Sequence, residues 1–461
     1  MESTHFDAIV IGTGQAGPSL AARLAGSGMK TAIIERHLFG GTCVNTGCTP
    51  TKALVASART AYVAREACRW GVEINGDITV DMKKVKARKD AIVNASTTGV
   101  ENWLKSLDNL TVIEGHARFK GPDIISVGDQ LLKAPKIFIN VGGRAFVPDH
   151  AVNGPVPYWT NKDIMEVDFV PEHLIVIGGS YIGLEFGQMY RRFGSKVTIV
   201  EKNSRLVHRE DEDVSLAIQE KLISEGIELR LEAECISGTV EGDEILVDVV
   251  CKEGDPKVRG THLLFAVGRT PNTHDLGLDK AGVKMNERGF IQVNDELKTN
   301  VEGIWALGDC NGQGAFTHTA YNDFEIVAAN VLDNDPRRVS DRIMCYGLFT
   351  DPPLARIGMS ENEALKSGRR ILKGYRDMKR IARAKERGET HGFMKVMVDA
   401  DTEEILGATI LGIEGDEIIH SMLDLMYAGK PYTTISRAVH IHPTISELIP
   451  TMLQGLKPLN F

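Results

Sequence analysis

Two stretches of the chain share one pattern of apolar and polar positions. Residues 7–35, DAIVIGTGQAGPSLAARLAGSGMKTAIIE, begin with an apolar run that ends at a glycine turn, continue through a middle segment, and finish with a second apolar run and a glutamate. Residues 173–201, HLIVIGGSYIGLEFGQMYRRFGSKVTIVE, repeat each part of this pattern at a constant offset of 166 positions. Short apolar runs bounded by glycine are typical of buried strands, and the middle segment has the length of a helix. The pattern therefore predicts two copies of one strand-helix-strand unit.

The glycine turn of the first copy has the spacing that binds a dinucleotide. It contains Gly12, Gly14 and Gly17, and Glu35 stands 23 residues beyond the first of them. Glycines at these positions let the backbone approach a pyrophosphate at a helix amino terminus, while the carboxylate accepts hydrogen bonds from a ribose diol. An ordinary glycine turn packed against a helix is the alternative interpretation.

The second copy departs from this spacing at one position. Gly178 and Gly183 are kept, but Ser180 replaces the middle glycine. A Cβ and a hydroxyl at that position crowd a phosphate, although serine is small and its hydroxyl can donate a hydrogen bond. We expect a second nucleotide here.

Three further apolar runs, 137–143 (IFINVGG), 263–268 (LLFAVG) and 303–310 (GIWALGDC), each end a predicted strand with glycine. Ligands meet α/β sheets at such strand ends. Towards the carboxyl terminus the pattern changes, because MKVMVDADTEEILGATILG predicts two strands around an acidic turn. A helix at 415–428 and a polar helix after Pro443 follow. This part carries no nucleotide motif.

Length and charge narrow the class of protein. A chain of 461 residues corresponds to about three domains of roughly 150 residues. The formal net charge of −9 argues against nucleic acid and anionic membranes as partners. The amino terminus lacks the basic residues of a signal peptide, no apolar run is long enough to span a bilayer, and seven cysteines do not suit a secreted disulfide scaffold. We therefore expect a cytoplasmic protein.

The stretch GGTCVNTGCTPTK, residues 40–52, holds two cysteines five positions apart. In a regular helix five residues rise ~7.5 Å, which exceeds the usual Cα separation of a disulfide. A bridge therefore requires an irregular turn, which the intervening Asn-Thr-Gly tolerates. Pro50 suits the first turn of a helix that begins near Cys48, and a helix amino terminus lowers the pKa of a thiol.

In a reducing compartment, a close cysteine pair is more often a metal half-site or a redox pair than a structural bridge. The chain has no second CxxC or Cys/His cluster that would complete a zinc tetrahedron. This favours a redox pair, and we predict no metal site.

Together these motifs resemble the pyridine nucleotide-disulfide oxidoreductases, the family of glutathione reductase, dihydrolipoamide dehydrogenase and mercuric reductase. GGTCVNTGCTPTK, ALGDC at 306–310 and HPTISE near the carboxyl terminus follow the family's order over essentially the whole chain. The resemblance implies an α/β fold with two Rossmann-like dinucleotide-binding domains plus a C-terminal α+β dimerisation domain. The implied domains are an FAD-binding domain at 1–147 and again at 270–340, an NAD(P)-binding domain at 148–269, and a dimerisation domain at 341–461.

The resemblance also implies catalytic roles. Cys48 would be the charge-transfer thiol beside the flavin, and Cys43 the interchange thiol that meets the substrate. Lys52 would lie near flavin N5 and pair with Glu185. Tyr181 would cover the nicotinamide pocket until the reduced nucleotide displaces it.

His442, oriented by Glu447, would be the acid/base group, and would complete the active site of the partner subunit of a homodimer. Imidazole suits this role because thiols released near neutral pH need a proton carrier. Taken alone, the spacing Thr444-x-x-Glu447 also predicts a capping box that closes the last helix.

The cofactors implied by the resemblance are FAD in the first unit and NADH, or NADPH, in the second. Glu35 would contact the adenosine ribose, and Asp309 the ribityl chain. The implied cofactor-binding residues are Gly12, Gly14, Gly17, Glu35, Gly41, Thr42, Lys52, Gly115, Ala117, Gly142, Asp309, Ala315, Phe316, Thr317, His318, Gly178, Ser180, Tyr181, Gly183, Glu201, Gly268 and Arg269.

We therefore expect an FAD-dependent NAD(P)H oxidoreductase that passes electrons through a redox-active Cys43–Cys48 disulfide to a disulfide, a metal ion or another thiol-reactive acceptor. The segment FTDPPLARIGMSENEA resembles the mercuric-reductase-like branch, whereas the final LQGLKPLNF lacks the vicinal cysteines of that branch. One alternative is a dihydrolipoamide dehydrogenase of a multienzyme complex, against which GCTPTK in place of GCIPSK argues. A flavin-bearing redox sensor without turnover is another.

Glu201 predicts a preference for NADH. It ends the second strand of the second unit, where a carboxylate favours a free 2′-hydroxyl and repels a 2′-phosphate. Lys202, Arg205 and Arg209 follow it and offset part of that repulsion. We expect kcat/KM for NADH to exceed that for NADPH in steady-state assays; the reverse order would contradict the role given to Glu201.

Overall fold

The first strand-helix-strand unit lies within a five-stranded parallel sheet of the computed structural model, which describes residues 3–148, 156–251 and 254–459. Helix Gly17–Gly26 joins its two strands as the glycine pattern predicts, and the first strand is buried along its whole length. Continuous burial is typical of central parallel strands. The strand order is Ile304–Ala306, Ile137–Ile139, Ala8–Ile11, Thr31–Glu35 and Leu110–Glu114.

The second unit forms a four-stranded parallel sheet of its own. Its helix Tyr181–Phe193 follows the first strand, and ten of the thirteen helical residues are buried. The predicted boundary after residue 147 lies beside residues 149–155, which are outside the described part of the chain, so the domain limits stay a prediction. The strand order is Glu228–Arg230, Lys196–Val200, His173–Ile177 and His262–Phe265.

Smaller sheets and the remaining helices surround these two units. One mixed sheet contains Thr4–His5, Gln130–Lys133, Ile124–Val127 and Ala117–Gly121; an antiparallel sheet contains Ala233–Glu241, Glu244–Cys251 and Lys257–Gly260; and Gly143–Ala145 pairs with Arg269–Pro271. The other α-helices up to residue 340 are Gly41–Asn45, Cys48–Arg65, Met82–Lys105, Asn161–Ile164, Glu212–Ser224, Leu278–Ala281 and Thr317–Ala328. Across the three described ranges, no helix combines the length and apolarity needed to cross a membrane.

The carboxy-terminal part forms a six-stranded antiparallel sheet with helices against it. The two strands predicted around the acidic turn are Phe393–Asp399 and Ile405–Leu411, and both are buried throughout. The complete order is Cys345–Leu348, Leu354–Gly358, Ile405–Leu411, Phe393–Asp399, Ile371–Asp377 and Lys457–Pro458. The helices are Glu361–Lys366, Ala382–Glu386, Gly415–Ile418, His420–Tyr427, Thr433–Ser436 and Leu448–Gln454.

Two helix predictions in this part need correction. The helix predicted at 415–428 is divided at Ile419 into two shorter helices. The last helix begins at Leu448 rather than directly after Pro443, and it is not polar, because Ile449 and Met452 are among its buried residues. Its apolar residues face the core of the C-terminal sheet.

A buried ion-pair network fixes the C-terminal sheet to the second nucleotide unit. The side chain of Arg192 is 4% exposed and lies 2.6 Å from Asp351 and 2.7 Å from Glu225. Arg59, on the helix after the two cysteines, reaches the other oxygen of Asp351 at 2.6 Å. A buried charge without a partner is costly, so these pairs hold the loop that carries Asp351 against both helices.

The two turn glycines at the helix starts provide a test of the repeat. A Cβ at Gly17 would overlap the carbonyl oxygen of Gly12, and a Cβ at Gly183 would overlap that of Gly178. We expect Gly17→Ala to yield protein without FAD absorbance. Gly183→Ala should keep FAD but slow its reduction by NADH, as measured by anaerobic stopped flow.

Gly26→Ala is the matched control, because a Cβ there meets no atom within 4 Å. Equal loss of FAD in both turn variants would contradict the division of the two units between two nucleotides.

Candidate active site

A single cleft of about 2380 Å³ joins the two nucleotide units and the C-terminal sheet. Both glycine turns and both cysteines of the GGTCVNTGC segment line it. Of the predicted cofactor-binding residues, Gly17 and Gly183 lie beneath the turns, and the others line the cleft. The fold therefore brings the predicted cofactor-binding residues together around one cleft.

Glycines in and beside the turn of the first unit expose the backbone along this cleft, because they carry no side chain. Gly12 has a φ of +102°, and a Cβ on Gly41 would lie 2.7 Å from the Cα of Gly14. Gly142 has a φ of +62° and nothing within 4 Å of a notional Cβ, so its open side faces free space. Such a cradle fits the flat, extended shape of a dinucleotide such as FAD.

The glutamates at the ends of the second strands brace both turns in the same way. Glu35 accepts hydrogen bonds from the backbone nitrogen of Thr13 at 2.9 Å and from its hydroxyl at 2.6 Å. Glu201 accepts one from the backbone nitrogen of Gly179 at 2.7 Å. Thr13 and Gly179 are equivalent at the offset of 166, so the brace is part of the repeat. The sequence motif did not indicate Thr13.

The second turn also fits a nucleotide. Ser180 is the N-cap residue of the helix, and its hydroxyl makes no capping hydrogen bond. That hydroxyl is therefore available to a phosphate. Gly268, with a φ of +134°, has nothing within 4 Å of a notional Cβ and keeps the opposite wall open.

The two cysteines lie at an irregular turn between two helices, as their spacing predicts. Helix Gly41–Asn45 ends before Gly47, and helix Cys48–Arg65 begins directly after it. A Cβ on Gly47 would lie 2.8 Å from the carbonyl oxygen of Thr42, so the close return of the chain favours glycine. Both cysteines are free thiols in this structure, and their sulfur atoms are hydrogen-bonded.

The surroundings of the two sulfur atoms make the pair asymmetric. The hydrogen bond from the Cys43 thiol lowers the pKa of Cys48 to about 6; the Thr317 hydroxyl, 3.2 Å away, and the charge of Lys52 act in the same direction. The same hydrogen bond, together with burial, raises the pKa of Cys43. Near neutral pH, Cys48 is therefore the thiolate and Cys43 holds the proton.

Lys52 and Glu185 form the predicted pair, with 2.9 Å between Nζ and Oε2. The second oxygen of Glu185 accepts a hydrogen bond of 3.0 Å from the backbone nitrogen of Phe349. The Phe349 ring also lies under the ammonium, with its centroid 4.2 Å from Nζ. Phe349 belongs to the C-terminal sheet's first loop, so sequence motifs in the nucleotide units did not indicate it.

Tyr181 begins the helix of the second unit and lies among other aromatic rings. Its ring is edge-on to Phe316, with centroids 6.2 Å apart, and to Tyr346, at 5.7 Å. Its hydroxyl donates a hydrogen bond of 3.0 Å to Glu210. Glu210 and Tyr346 were not indicated by the sequence, because 136 residues separate them.

The segment that begins with ALGDC, residues 306–318, contacts the end of the second unit through Asp309. Asp309 lies 3.3 Å from the guanidinium of Arg269, which also donates to the carbonyl oxygen of Gly143 at 2.6 Å. His318 stacks on Phe316, with centroids 5.4 Å apart. The predicted residues Asp309 and Arg269 therefore meet although they stand on different sides of a predicted domain boundary.

His442 and Glu447 pair with each other but lie away from the cleft. His442 Nδ1 is 2.8 Å from Glu447 Oε2, and the His442 side chain is 75% exposed. Thr444 accepts a hydrogen bond from the Glu447 backbone nitrogen, whereas the Glu447 carboxylate bonds to the imidazole. Val439 and Ile441 beside it are 100% and 81% exposed, so this segment presents apolar side chains that a partner would cover.

Several charged groups outside the predicted site have structural partners. The carboxylates of Asp211, Asp213 and Glu361 converge, and the buried ammonium of Lys395 lies among them at 2.7–3.2 Å. Arg65 donates to the backbone carbonyl of Arg192, and Arg69 pairs with Glu66 at 2.7 Å. Cys310 is buried, whereas Cys68 is exposed.

Comparison with known proteins places this geometry in a family. The protein-family model described as pyridine nucleotide-disulphide oxidoreductase matches residues 6–323. The family model for the dimerisation domain of the same proteins matches residues 344–453. The probable pyridine nucleotide-disulfide oxidoreductase RclA of Escherichia coli K12 is 33% identical, over 98% of this chain and 99% of its own. A dihydrolipoyl dehydrogenase of Haloferax volcanii is 31% identical, over 97% and 95%.

Solved structures agree with these matches. The structure of Escherichia coli RclA, described as an HOCl-induced flavoprotein disulfide reductase, has a TM-score of 0.89 at 33% identity and covers 98% of this chain and 100% of that one. A Cu(II) complex of the same protein has a TM-score of 0.89 at 32% identity, covering 98% and 99%.

The Thr317 hydroxyl provides a test of the thiolate assignment. The pKa of Cys48 is lowered, so its charge-transfer absorbance with the flavin should persist above about pH 6 in anaerobically reduced protein and disappear as the pH falls through that value. Thr317→Val removes one stabilising hydrogen bond and should raise the midpoint by about 1 pH unit.

Thr60→Val is the control and should leave the midpoint unchanged, because Thr60 lies on the exposed face of the helix that begins at Cys48. Cys48→Ser should lack the band. An unchanged midpoint in Thr317→Val would contradict the role of this hydroxyl.

Proposed function

Because the chain belongs to the pyridine nucleotide-disulphide oxidoreductases, we propose that it reduces a disulfide or another thiol-reactive acceptor through Cys43. The predicted fold class and enzyme class are confirmed, and FAD with NAD(H) is the typical cofactor pair of this family. The match to the dimerisation domain supports a homodimer. The observation that carries the proposal is the position of Cys43 and Cys48 in one cleft with both glycine turns, where the Thr317 hydroxyl lies 3.2 Å from the Cys48 sulfur.

The residues that line the cleft fit both nucleotides. FAD held there would supply the two-electron chemistry that links hydride transfer from the nicotinamide to reduction of the cysteine pair. In the proposed arrangement, Gly12, Gly14 and Glu35 hold the adenosine and pyrophosphate of FAD. Ser180 and Glu201 hold the second nucleotide in the equivalent places of the other unit.

Cys43 becomes a nucleophile only after it loses its proton. Cys48 is the thiolate of the pair, and Lys52 together with the Thr317 hydroxyl stabilises that charge. The thiolate is the reactive form of a cysteine, so the chemistry needs a base close to Cys43. Within one chain His442 lies away from the cleft, and we assign this role to His442 of the partner subunit.

The proposed reaction with an acceptor disulfide consists of two exchanges. The imidazole takes the Cys43 proton, the Cys43 sulfur attacks one acceptor sulfur, and the acceptor disulfide breaks. The imidazolium returns its proton to the first leaving thiolate. Cys48 then attacks the sulfur of Cys43, the Cys43–Cys48 disulfide forms, and the second acceptor thiolate leaves and is protonated from solvent.

Glu447 orients the imidazole in this scheme. Its carboxylate contacts Nδ1 and therefore leaves Nε2 to exchange the proton with sulfur. The carboxylate is the better-shielded member of the pair, with 16% of its side chain exposed, so it holds the ring on the protein side.

The descriptions of the relatives are compatible with more than one kind of electron acceptor. RclA is described as a disulfide reductase and has been solved as a Cu(II) complex, and other relatives are named dihydrolipoyl dehydrogenases. A thiophilic metal ion and a small disulfide share one requirement, an accessible dithiol, which Cys43 and Cys48 provide. We favour a disulfide acceptor over a role as the lipoamide-specific component of a multienzyme complex.

The acceptor and the proton carrier can be tested together. The native enzyme, reduced anaerobically with one equivalent of NADH, is mixed with oxidised glutathione, lipoamide, Hg²⁺, Cu²⁺, quinone or oxygen, and reoxidation is followed by stopped flow. We expect fast reoxidation by at least one disulfide or metal ion and slow reoxidation by oxygen. Reoxidation that is equally fast in Cys43→Ser would contradict the proposal.

For His442→Ala we expect normal reduction by NADH but transfer to a disulfide at least ~100-fold slower, because general acid–base catalysis is lost. His440→Ala, two residues earlier in the same exposed segment, is the matched control and should transfer normally. Equal loss in both half-reactions of His442→Ala would contradict its role as proton carrier.

A further inference from the structure

The position of Tyr181 is fixed by contacts at both ends of its side chain. Its ring packs edge-on against Phe316 and Tyr346, whose rings stack on each other with centroids 5.5 Å apart and 4° between their planes. Its hydroxyl donates to Oε1 of Glu210 at 3.0 Å. The hydrogen bond has a charged acceptor, and such bonds are about twice as strong as neutral ones.

Glu210 is in turn anchored to the C-terminal sheet. It is 2% exposed, the Tyr346 hydroxyl donates to the oxygen that Tyr181 uses, and Arg356 contacts the other oxygen at 3.2 Å. Tyr346 and Arg356 face each other on the paired strands Cys345–Leu348 and Leu354–Gly358. A buried carboxylate between these donors has little freedom to move.

The segment that ends at Glu210 also reaches the predicted ribose position of the nucleotide site. Residues 201–210 begin at the predicted ribose ligand Glu201 and end at Glu210. Between them, Val207 donates its backbone N–H to the carbonyl oxygen of Gly179 at 2.9 Å and has a φ of +42°, which a β-branched residue rarely adopts. One segment therefore carries both the predicted ribose ligand and the acceptor for Tyr181, and it is hydrogen-bonded to the glycine turn.

We propose that Glu210 is a positioning residue that holds Tyr181 over the nicotinamide pocket, so that the nicotinamide enters only after the Tyr181–Glu210 hydrogen bond opens. This inference rests on the proposed function and on the position over the nicotinamide pocket that the family resemblance implies for Tyr181. When only a fraction of the protein is open, the apparent dissociation constant of the ligand rises by the inverse of that fraction. Weakening the hydrogen bond therefore tightens the binding of NADH.

Tyr181→Phe is the first variant, because it keeps the ring and removes the hydroxyl. Anaerobic stopped-flow reduction at increasing NADH concentrations separates the dissociation constant from the limiting rate. We expect the dissociation constant to fall about tenfold, as for the loss of a hydrogen bond to a charged group, with a smaller change in the limiting rate. An unchanged or higher dissociation constant would overturn the proposal.

ADP-ribose distinguishes this effect from a general change in the nucleotide site. It occupies the ribose and pyrophosphate positions but has no nicotinamide, so it does not require Tyr181 to move. We expect its dissociation constant, measured by competition with NADH, to be the same in native protein and Tyr181→Phe. Tightening of ADP-ribose in parallel with NADH would overturn the proposal.

Glu210→Gln tests the acceptor. It keeps an oxygen but loses the charge, so NADH should bind more tightly than in native protein and ADP-ribose should not. Combined with Tyr181→Phe, it should tighten NADH no further, because the hydrogen bond to Glu210 that restrains Tyr181 is already absent in Tyr181→Phe. Additive effects would overturn the proposal. Glu212→Gln, an equal charge change at an exposed position two residues further, is the matched control.

These outcomes separate the inference from the function on which it rests. If neither NADH nor NADPH reduces the flavin of native protein, the proposed function fails, and the role of Glu210 fails with it. If native protein is reduced and the variants keep its dissociation constant, only the role of Glu210 fails.

Discussion

The hydrogen bond between the sulfur atoms of Cys43 and Cys48 is the interaction on which the rest of the candidate site depends. Cys43 and Cys48 meet because the chain returns on itself at Gly47, and the thiol of one then stabilises the thiolate of the other. A negative charge on a sulfur that lines a cleft is stabilised when its surroundings supply hydrogen-bond donors and positive charge. Much of the remaining site is explained by that requirement.

The stabilising groups come from parts of the chain that are far apart in sequence. Lys52 belongs to the cysteine helix, Glu185 to the second nucleotide unit, and Phe349 to the C-terminal sheet. Each contacts the next, so the charge beside Cys48 depends on how three units are assembled. The buried ion pair between Arg192 and Asp351 fixes this assembly, and Asp351 is two residues from Phe349. The packing of the C-terminal sheet therefore affects the pKa of Cys48.

Local features were predictable from the sequence, and contacts between distant segments were not. The repeat at 166 residues predicted both parallel units, and the spacing of the cysteines predicted an irregular turn followed by a helix, because turn glycines and helix starts depend on neighbouring residues. Two partners of Glu210, Tyr346 and Arg356, are 136 and 146 residues away, a separation that leaves no periodic signal. The prediction of a polar last helix is wrong because the buried side of this helix is determined by a sheet that folds from other segments.

The brace inside each nucleotide unit has a consequence for how the two units differ. In both, the strand-end glutamate binds a backbone N–H of the glycine turn, at Thr13 in one and at Gly179 in the other. Every residue except proline has this backbone donor. The side chains of the turn are therefore free to diverge without loss of the brace, and two copies of one architecture can specialise for different nucleotides while keeping the same internal support.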